Sequence, residues 1–428
     1  MMSYNKKMYL KDAFSKGMLD TIAWIHDIKK EDNYIKIALR DPTGIYEFKI
    51  NGGKWIKVLK DLTRESLVKI QGHLNGDILK VTYLQKILNA PSILPIDTRN
   101  PSPDDVERFT KYSYLVIRSP KYTKVLRTQH WVLYYAREFL IDKGFIEILP
   151  PVISPCSDPG LRGARKLKTK FYGYEYELMS SVIMFKQASA AAFEKIFFVA
   201  RNVREEPIEN LKTKRHLCEF TQLDIEWAFA SMEDIMSLAE DLIIFILKRI
   251  KDKCKDIIEE FNPDLKIPSK PFKRIRYDEA VEMLRDLGFH TPQGKELTQE
   301  GEEELSKRIK EPLWIINYPV TSRGFYYMPE HNNPIYNRDF NLIMPKGFGE
   351  VIDGGEREYR ADKIRKRLEV LGEPLDKYKW FLDLANIGIP PSAGFGLGIE
   401  RFTRYILNLK YIWEAAPFPK VPGIVPTP

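Results

Sequence analysis

Five short runs of alternating apolar and polar residues crowd into the first ninety positions, and strands so short cannot bury their faces singly. They are Leu19–His26, Tyr34–Leu39, Ile45–Ile50, Leu67–Gln71 and Leu79–Tyr83, with the turn Arg40-Asp-Pro-Thr-Gly44 between the second and third. Trp55–Leu62 has the spacing of a short helix. Five strands with one helix predict a small antiparallel barrel of the OB type.

Beyond it, Ala90–Ser119 is rich in Pro, Asp and Arg and has no periodicity, as in a linker. From Tyr122 the elements lengthen. Thr128–Lys143 places Trp131, Tyr134, Tyr135, Phe139 and Leu140 at helical spacing and stops at Gly144. A strand, Phe145–Leu149, runs into Pro150-Pro151. Met232–Lys255 reads as a long helix opened by Ser231, with Glu233 and Asp234 in its first turn. Strands return at Leu313–Asn317, Asn341–Met344 and Gly349–Ile352, joined as often by hairpin-like loops as by helices. The expected class is α+β: a mainly antiparallel sheet flanked by helices, rather than a doubly wound one. The expected domains are residues 1–95 (barrel), 96–120 (linker) and 121–428 (catalytic domain), with a small charged insertion near 263–310.

Over 428 residues, 67 Lys+Arg stand against 59 Asp+Glu, a net +8 that suits a polyanionic partner and equally a well-solvated surface. No apolar run approaches the ~20 residues that span a bilayer, and MMSYNKKMYLKDAF lacks the features of a signal peptide, so a cytoplasmic protein without a membrane partner is expected. Three distant cysteines (Cys156, Cys218 and Cys254) argue against a disulfide framework and a structural zinc site.

Three segments carry chemistry. Arg204-Glu-Glu206, followed by Lys214-Arg-His-Leu-Cys-Glu-Phe220 and Thr-Gln-Leu-Asp-Ile-Glu226, suits a hairpin presenting Arg, His and Phe on one face. A nucleotide needs that set: a guanidinium for phosphate, an aromatic for the purine, and carboxylates for metals or amines. Gly394-Phe-Gly-Leu-Gly-Ile-Glu-Arg401 has alternate glycines permitting close approach and an arginine opening the next helix, without a Walker or Rossmann pattern. In Gly349-Glu-Val-Ile-Asp353-Gly-Gly-Glu-Arg357, a kink at the glycines would bring Glu350 and Asp353 together on Mg2+. Singly, each segment also reads as an ordinary hairpin, turn or strand end.

In this order the segments resemble the signature of class II aminoacyl-tRNA synthetases, nearest the aspartyl/asparaginyl branch and the archaeal asparagine synthetase related to it. The likeness covers roughly residues 120–428. Gly144–Pro151 resembles the dimer-forming first motif, Arg204–Phe220 the second and Gly394–Arg401 the third. The resemblance implies ATP and Mg2+, an amino acid, tRNA and a homodimer through the first motif. It gives Arg204 the α-phosphate and amino-acid carboxylate, Arg401 the γ-phosphate, Phe220 the adenine face, and Glu206, His216 and Gly398 the nucleotide. Arg204, Glu206 and Arg401 become the catalytic set, and Glu350 and Asp353 the metal ligands. Within Glu177–Gln187, similar to the family's substrate-recognition strand, Ser181 and Lys186 face the amino acid, and Arg357 meets its far end.

Lys186 and Arg357, as two cations, favour aspartate electrostatically. The segment Asp376–Gly398 resembles asparaginyl enzymes instead, and Ala416–Gly423 looks more like the tRNA-independent asparagine synthetase. In the barrel, Lys36 and Glu47 stand where an aromatic and a glutamine are usual, and Ser157–Ala164 lacks the compact glycine-rich loop. The leading expectation is an asparagine–tRNA ligase, with aspartyl specificity as a variant. The alternatives are an ATP-dependent asparagine synthetase using aspartate and ammonia, and a non-catalytic paralogue.

Overall fold

The alternating runs pair as a closed barrel in the computed structural model, which describes residues 8–32, 34–51, 54–158 and 163–428. Its strands are β1 (Met18–Lys30), β2 (Tyr34–Asp41), β3 (Gly44–Asn51), β4 (Leu67–Asn75) and β5 (Ile78–Leu88), closing in the order β1-β2-β3-β5-β4. Leu19, Ile25, Ile37, Phe48, Val68 and Ile70, taken from alternate positions, fill the interior. At Gly72 a Cβ would lie 2.5 Å from the Lys80 carbonyl, so only glycine lets β4 approach β5 there. Lys36 and Glu47 meet as a 2.5 Å ion pair on β2 and β3. Arg40 is buried against Glu65, which also takes Arg118 (3.0 Å) and the Thr98 hydroxyl (2.9 Å).

Contacts group the chain into two units, one running through Ser102 with Leu115–Lys121, the other comprising Pro103–Tyr114 and Tyr122–Pro428. The stretch expected to be linker carries two short helices, Val106–Lys111 and Ser113–Val116, the first capped by the Asp105 side chain.

The second unit is built on an eight-stranded sheet. Its members are β6 (Ile146–Glu147), β10 (Lys195–Val203), β11 (Glu219–Ala228), β12 (Lys273–Arg276), β13 (Leu313–Ile316), β14 (Asp339–Met344), β15 (Gly349–Glu356) and β16 (Ser392–Gly398). The order is β12-β13-β14-β15-β16-β11-β10-β6, antiparallel except for the outer pairs β12–β13 and β10–β6. A smaller sheet holds β7 (Ile153–Ser154), β8 (Lys168–Phe171) and β9 (Tyr174–Leu178) in the order β7-β9-β8. Residues 159–162 of the Ser157–Ala164 loop lie outside the described residues.

Helix Met232–Lys253 begins at the predicted place, where Ser231 and Asp234 form a reciprocal capping box. It buries Ile235, Ala239, Leu242, Ile243, Ile246 and Ile250. The predicted strand Phe145–Leu149 shortens to two paired residues ahead of two prolines, neither of which has an N–H to extend the ladder. The segment 263–310, expected as a small insertion, packs onto the sheet. It supplies edge strand β12 and helices Tyr277–Asp286 and Gln299–Arg308, whose Tyr277, Ala280, Leu284 and Leu305 pack with Leu313, Ile315 and Ile343.

Candidate functional site

β10 and β11 form the expected hairpin and place their chemistry at its loop end. Arg204 leaves β10 with its guanidinium 5.1 Å from the Phe220 ring centroid, and its Nε donates to the Ser180 carbonyl (3.1 Å). Glu206 accepts from Asn210 Nδ2 (2.7 Å), and His216 Nδ1 shares a proton with Thr213 Oγ1 (2.6 Å).

β16 runs into helix Ile399–Ile406, and Arg401 projects from the first turn of that helix. Its Nη1 lies 3.1 Å from Glu350 Oε1 and donates also to the Glu350 carbonyl. The glycines before it serve the sheet first. At Gly394 a Cβ would strike the Glu226 carboxylate at 2.1 Å, and at Gly396 it would meet Gln222 and Asp224.

Glu350 and Asp353 share a face, but the kink that achieves this is not at the glycines. Ile343 pairs with Glu350 and Leu342 with Ile352, so Val351 is the extra residue of a bulge. Glu350 Oε2 accepts from Asn341 Nδ2 (3.0 Å). Asp353 is engaged by the Tyr327 hydroxyl and by Arg323 Nη1 (2.5 Å), and the buried Arg323 also contacts Asp339 and Glu296 at 3.1 Å each. Among the described residues no group of three or more His, Cys, Asp or Glu side chains is placed to hold a metal. An ATP-bound Mg2+ keeps most of its ligands as phosphate oxygens and water, so one well-presented carboxylate suffices. Both carboxylates already accept on both oxygens, Glu350 from Arg401 and Asn341 and Asp353 from Tyr327 and Arg323.

Lys186 and Arg357 occupy the deepest part. Lys186 belongs to helix Ile183–Phe193, not to a strand: β9 ends at Leu178. Its ammonium donates to Asp224 Oδ1 (3.0 Å) and the Phe395 carbonyl (3.3 Å), with Glu226 Oε2 at 3.9 Å. Arg357 Nε lies 3.1 Å from Glu226 Oε1, Nη2 lies 3.3 Å from Oε2, and Ser392 Oγ donates to Oε1 (2.8 Å). Burial alone would lower the proton affinity of Arg357. The Glu226 carboxylate overrides that and holds it above its ordinary value.

The expectation of two uncompensated cations is therefore corrected: each has its own carboxylate. Asp224 and Glu226 are two apart on β11 and share a face, so period two contained the signal, although sequence reasoning gave them only a generic role. It also missed Arg215 and Glu302, an ion pair at 2.5 Å with both side chains buried.

Ser181, Lys186, Arg204, Glu206, His216, Phe220, Glu350, Asp353, Arg357, Gly398 and Arg401 all line one cleft of about 720 Å3. It is lined by guanidinium groups, an aromatic ring and the pair Lys186 and Asp224, and the Arg357 that also lines it is balanced by the buried Glu226. Such a lining suits a polyphosphate nucleotide next to a small zwitterion.

Residues 105–422 match the family described as tRNA synthetases class II (D, K and N). The chain is 32% identical to an asparagine–tRNA ligase of Pyrococcus abyssi over 94% of both proteins. It is 29% identical to an aspartate–tRNA(Asp/Asn) ligase of Sulfurisphaera tokodaii, over 93% of each. The structure of asparaginyl-tRNA synthetase from Pyrococcus horikoshii complexed with asparaginyl-adenylate superposes with a TM-score of 0.89 at 29% identity, covering 98% of this chain and 99% of that one. No described helix is long and apolar enough to cross a membrane.

Proposed function

The chain belongs to the class II tRNA synthetases of the D, K and N group, and on that premise we propose that it activates asparagine with ATP and transfers it to tRNA. The observation that carries the choice of amino acid is that the two cations lining the cleft, Lys186 and Arg357, are each already paired to a carboxylate, Asp224 and Glu226. An uncharged side-chain amide suits that balance. Aspartate's carboxylate would bring a further negative charge to cations already paired.

Activation is in-line attack. An oxygen of the amino-acid carboxylate bonds to the α-phosphorus as the bond to the β-phosphate bridging oxygen breaks, and pyrophosphate leaves. No protein nucleophile is required, so positioning and charge neutralisation supply the rate. Arg204 holds the α-phosphate and the incoming carboxylate, Phe220 takes the adenine face, Glu206 and His216 contact the nucleotide, and Arg401 meets the γ-phosphate. Gly398 leaves the phosphates room beside Arg401. Mg2+ would offset phosphate charge at Glu350 and Asp353, each releasing a present partner to receive it. Ser181, Lys186 and Arg357 surround the amino acid.

The barrel of residues 1–95 would bind the tRNA anticodon, with 96–120 connecting it to the catalytic region 121–428. Two copies would pair through the first-motif region. Exposed Ile141, Ile146, Leu149 and Val152 support this, because apolar side chains clustered in sequence there want a cover.

One observation favours a second reading, an asparagine synthetase consuming aspartate and ammonia. The Lys36–Glu47 ion pair occupies barrel positions where base stacking would be expected. Product analysis with ATP, Mg2+ and labelled aspartate or asparagine, with and without tRNA and ammonium, separates the two. Asparaginyl-tRNA supports the first reading, and free asparagine made from aspartate supports the second.

A further inference from the structure

We propose that helix Gln299–Arg308 is a positioning element for the triphosphate, acting through Glu302. This rests on the ATP-binding reading of the cleft. A single oxygen of Glu302, Oε1, accepts from Arg215 Nη1 (2.5 Å) and from the backbone N–H of Glu350 (2.9 Å). One carboxylate thus fixes the spacing between a cation on the hairpin loop and the carboxylate assigned to the metal. Arg215 passes so close to Gly349 that a Cβ there would lie 2.2 Å from Nη1, and Gly349 has φ +72, in the left-handed region.

The same helix reaches the adenine half. Gln299 Nε2 donates to Asn210 Oδ1 (3.0 Å), and Asn210 Nδ2 donates to Glu206 (2.7 Å). Thr298 caps the helix by accepting from the Gly301 N–H, which holds its first turn in shape. Gln299, Glu302, Arg215 and Glu206 all line the cleft. Ser306, one turn further on, ties the helix to the sheet by accepting from the Gly349 N–H and donating to the Met344 carbonyl, but it touches none of the charged groups. A segment outside the three motifs therefore sets the distance between opposite charges that must receive a triphosphate and its metal.

Glu302 is a positioning residue, so the readout must separate geometry from mere stability. Steady-state pyrophosphate exchange on Glu302→Gln should show a KM for ATP raised about tenfold and an unchanged KM for asparagine. Gln299→Ala should raise the ATP KM less and leave the Mg2+ requirement alone. Ser306→Ala, which loosens the same helix, should lower thermal stability while leaving the ATP KM within about twofold. The proposal is overturned if Glu302→Gln behaves like Ser306→Ala, or if both KM values move together. ATP-Mg2+ binding to the wild-type chain by calorimetry keeps the two levels apart. No binding there defeats the functional reading itself, whereas normal wild-type binding with an unaltered Glu302→Gln variant defeats only this inference.

Discussion

Glu226 pairs with the cleft-lining Arg357 through Nε to Oε1 at 3.1 Å and Nη2 to Oε2 at 3.3 Å, with both side chains almost wholly buried. Arg357 lines the cleft with its charge already balanced by the buried Glu226, which suits an uncharged carboxamide. Replacing Glu226 by Gln keeps the shape but removes the acceptor charge. It should lower kcat/KM for asparagine about 100-fold, the scale of a buried hydrogen-bonded site left mismatched, and narrow the preference over aspartate. Pyrophosphate exchange with each amino acid measures both effects.

Lys186 lies within a buried group of four charges, and removing one leaves another exposed to low dielectric without compensation. Lys186→Met should leave Asp224 without its ammonium partner and destabilise the second unit by about 3 kcal/mol, as is usual when one member of a buried pair is removed. The denaturant midpoint is the measurement. Asp224→Asn in the same background should recover much of the loss, and no recovery would mean that Lys186 acts through packing instead.

Glu350 is held between Arg401 and Asn341. Glu350→Gln should shift the Mg2+ concentration for half-maximal exchange upward at least tenfold, with asparagine affinity unaltered in a direct binding assay. Asp353→Asn should shift it less, because the Asp353 charge is committed to the buried Arg323, whereas the Arg401 partner of Glu350 is the one assigned to the γ-phosphate.

Acid should loosen the barrel through Glu65. Burial would raise this carboxyl, but the paired Arg40 guanidinium, Arg118 and the Thr98 hydroxyl outweigh it and hold it below its ordinary 4.5. A carboxyl depressed in the folded state contributes stability that is complete above the unfolded value and disappears as pH falls through the lower folded one. The wild type should therefore lose stability below about pH 4.5, while Glu65→Gln should be less stable at neutral pH and flatter on the acid side. Unfolding monitored at Trp24 or Trp55 across pH 3 to 7 checks the slope.

The motif residues were legible because their chemistry is local. A strand that alternates, a glycine run before a helix and an arginine beside two carboxylates each leave a mark within ten residues. The long helix at Met232 was equally readable, since Ser231 and Asp234 announce its start. What escaped was pairing across distance. Nothing in the sequence couples Lys186 to Asp224 or Arg357 to Glu226, and without those partners the pocket looked doubly positive. The bulge at Val351 escaped for a related reason: register depends on β14 as much as on β15. The segment 263–310 reads as a small charged insertion, and only its packing against β13 and β14 reveals Glu302 beside the cleft.

The most direct test of the proposed function charges bulk tRNA with purified protein, ATP and Mg2+, supplying labelled asparagine or labelled aspartate in separate reactions. The balanced pocket predicts acid-precipitable label from asparagine, with little from aspartate. Label entering tRNA chiefly from aspartate, or free asparagine accumulating from aspartate and ammonium without tRNA, would contradict it.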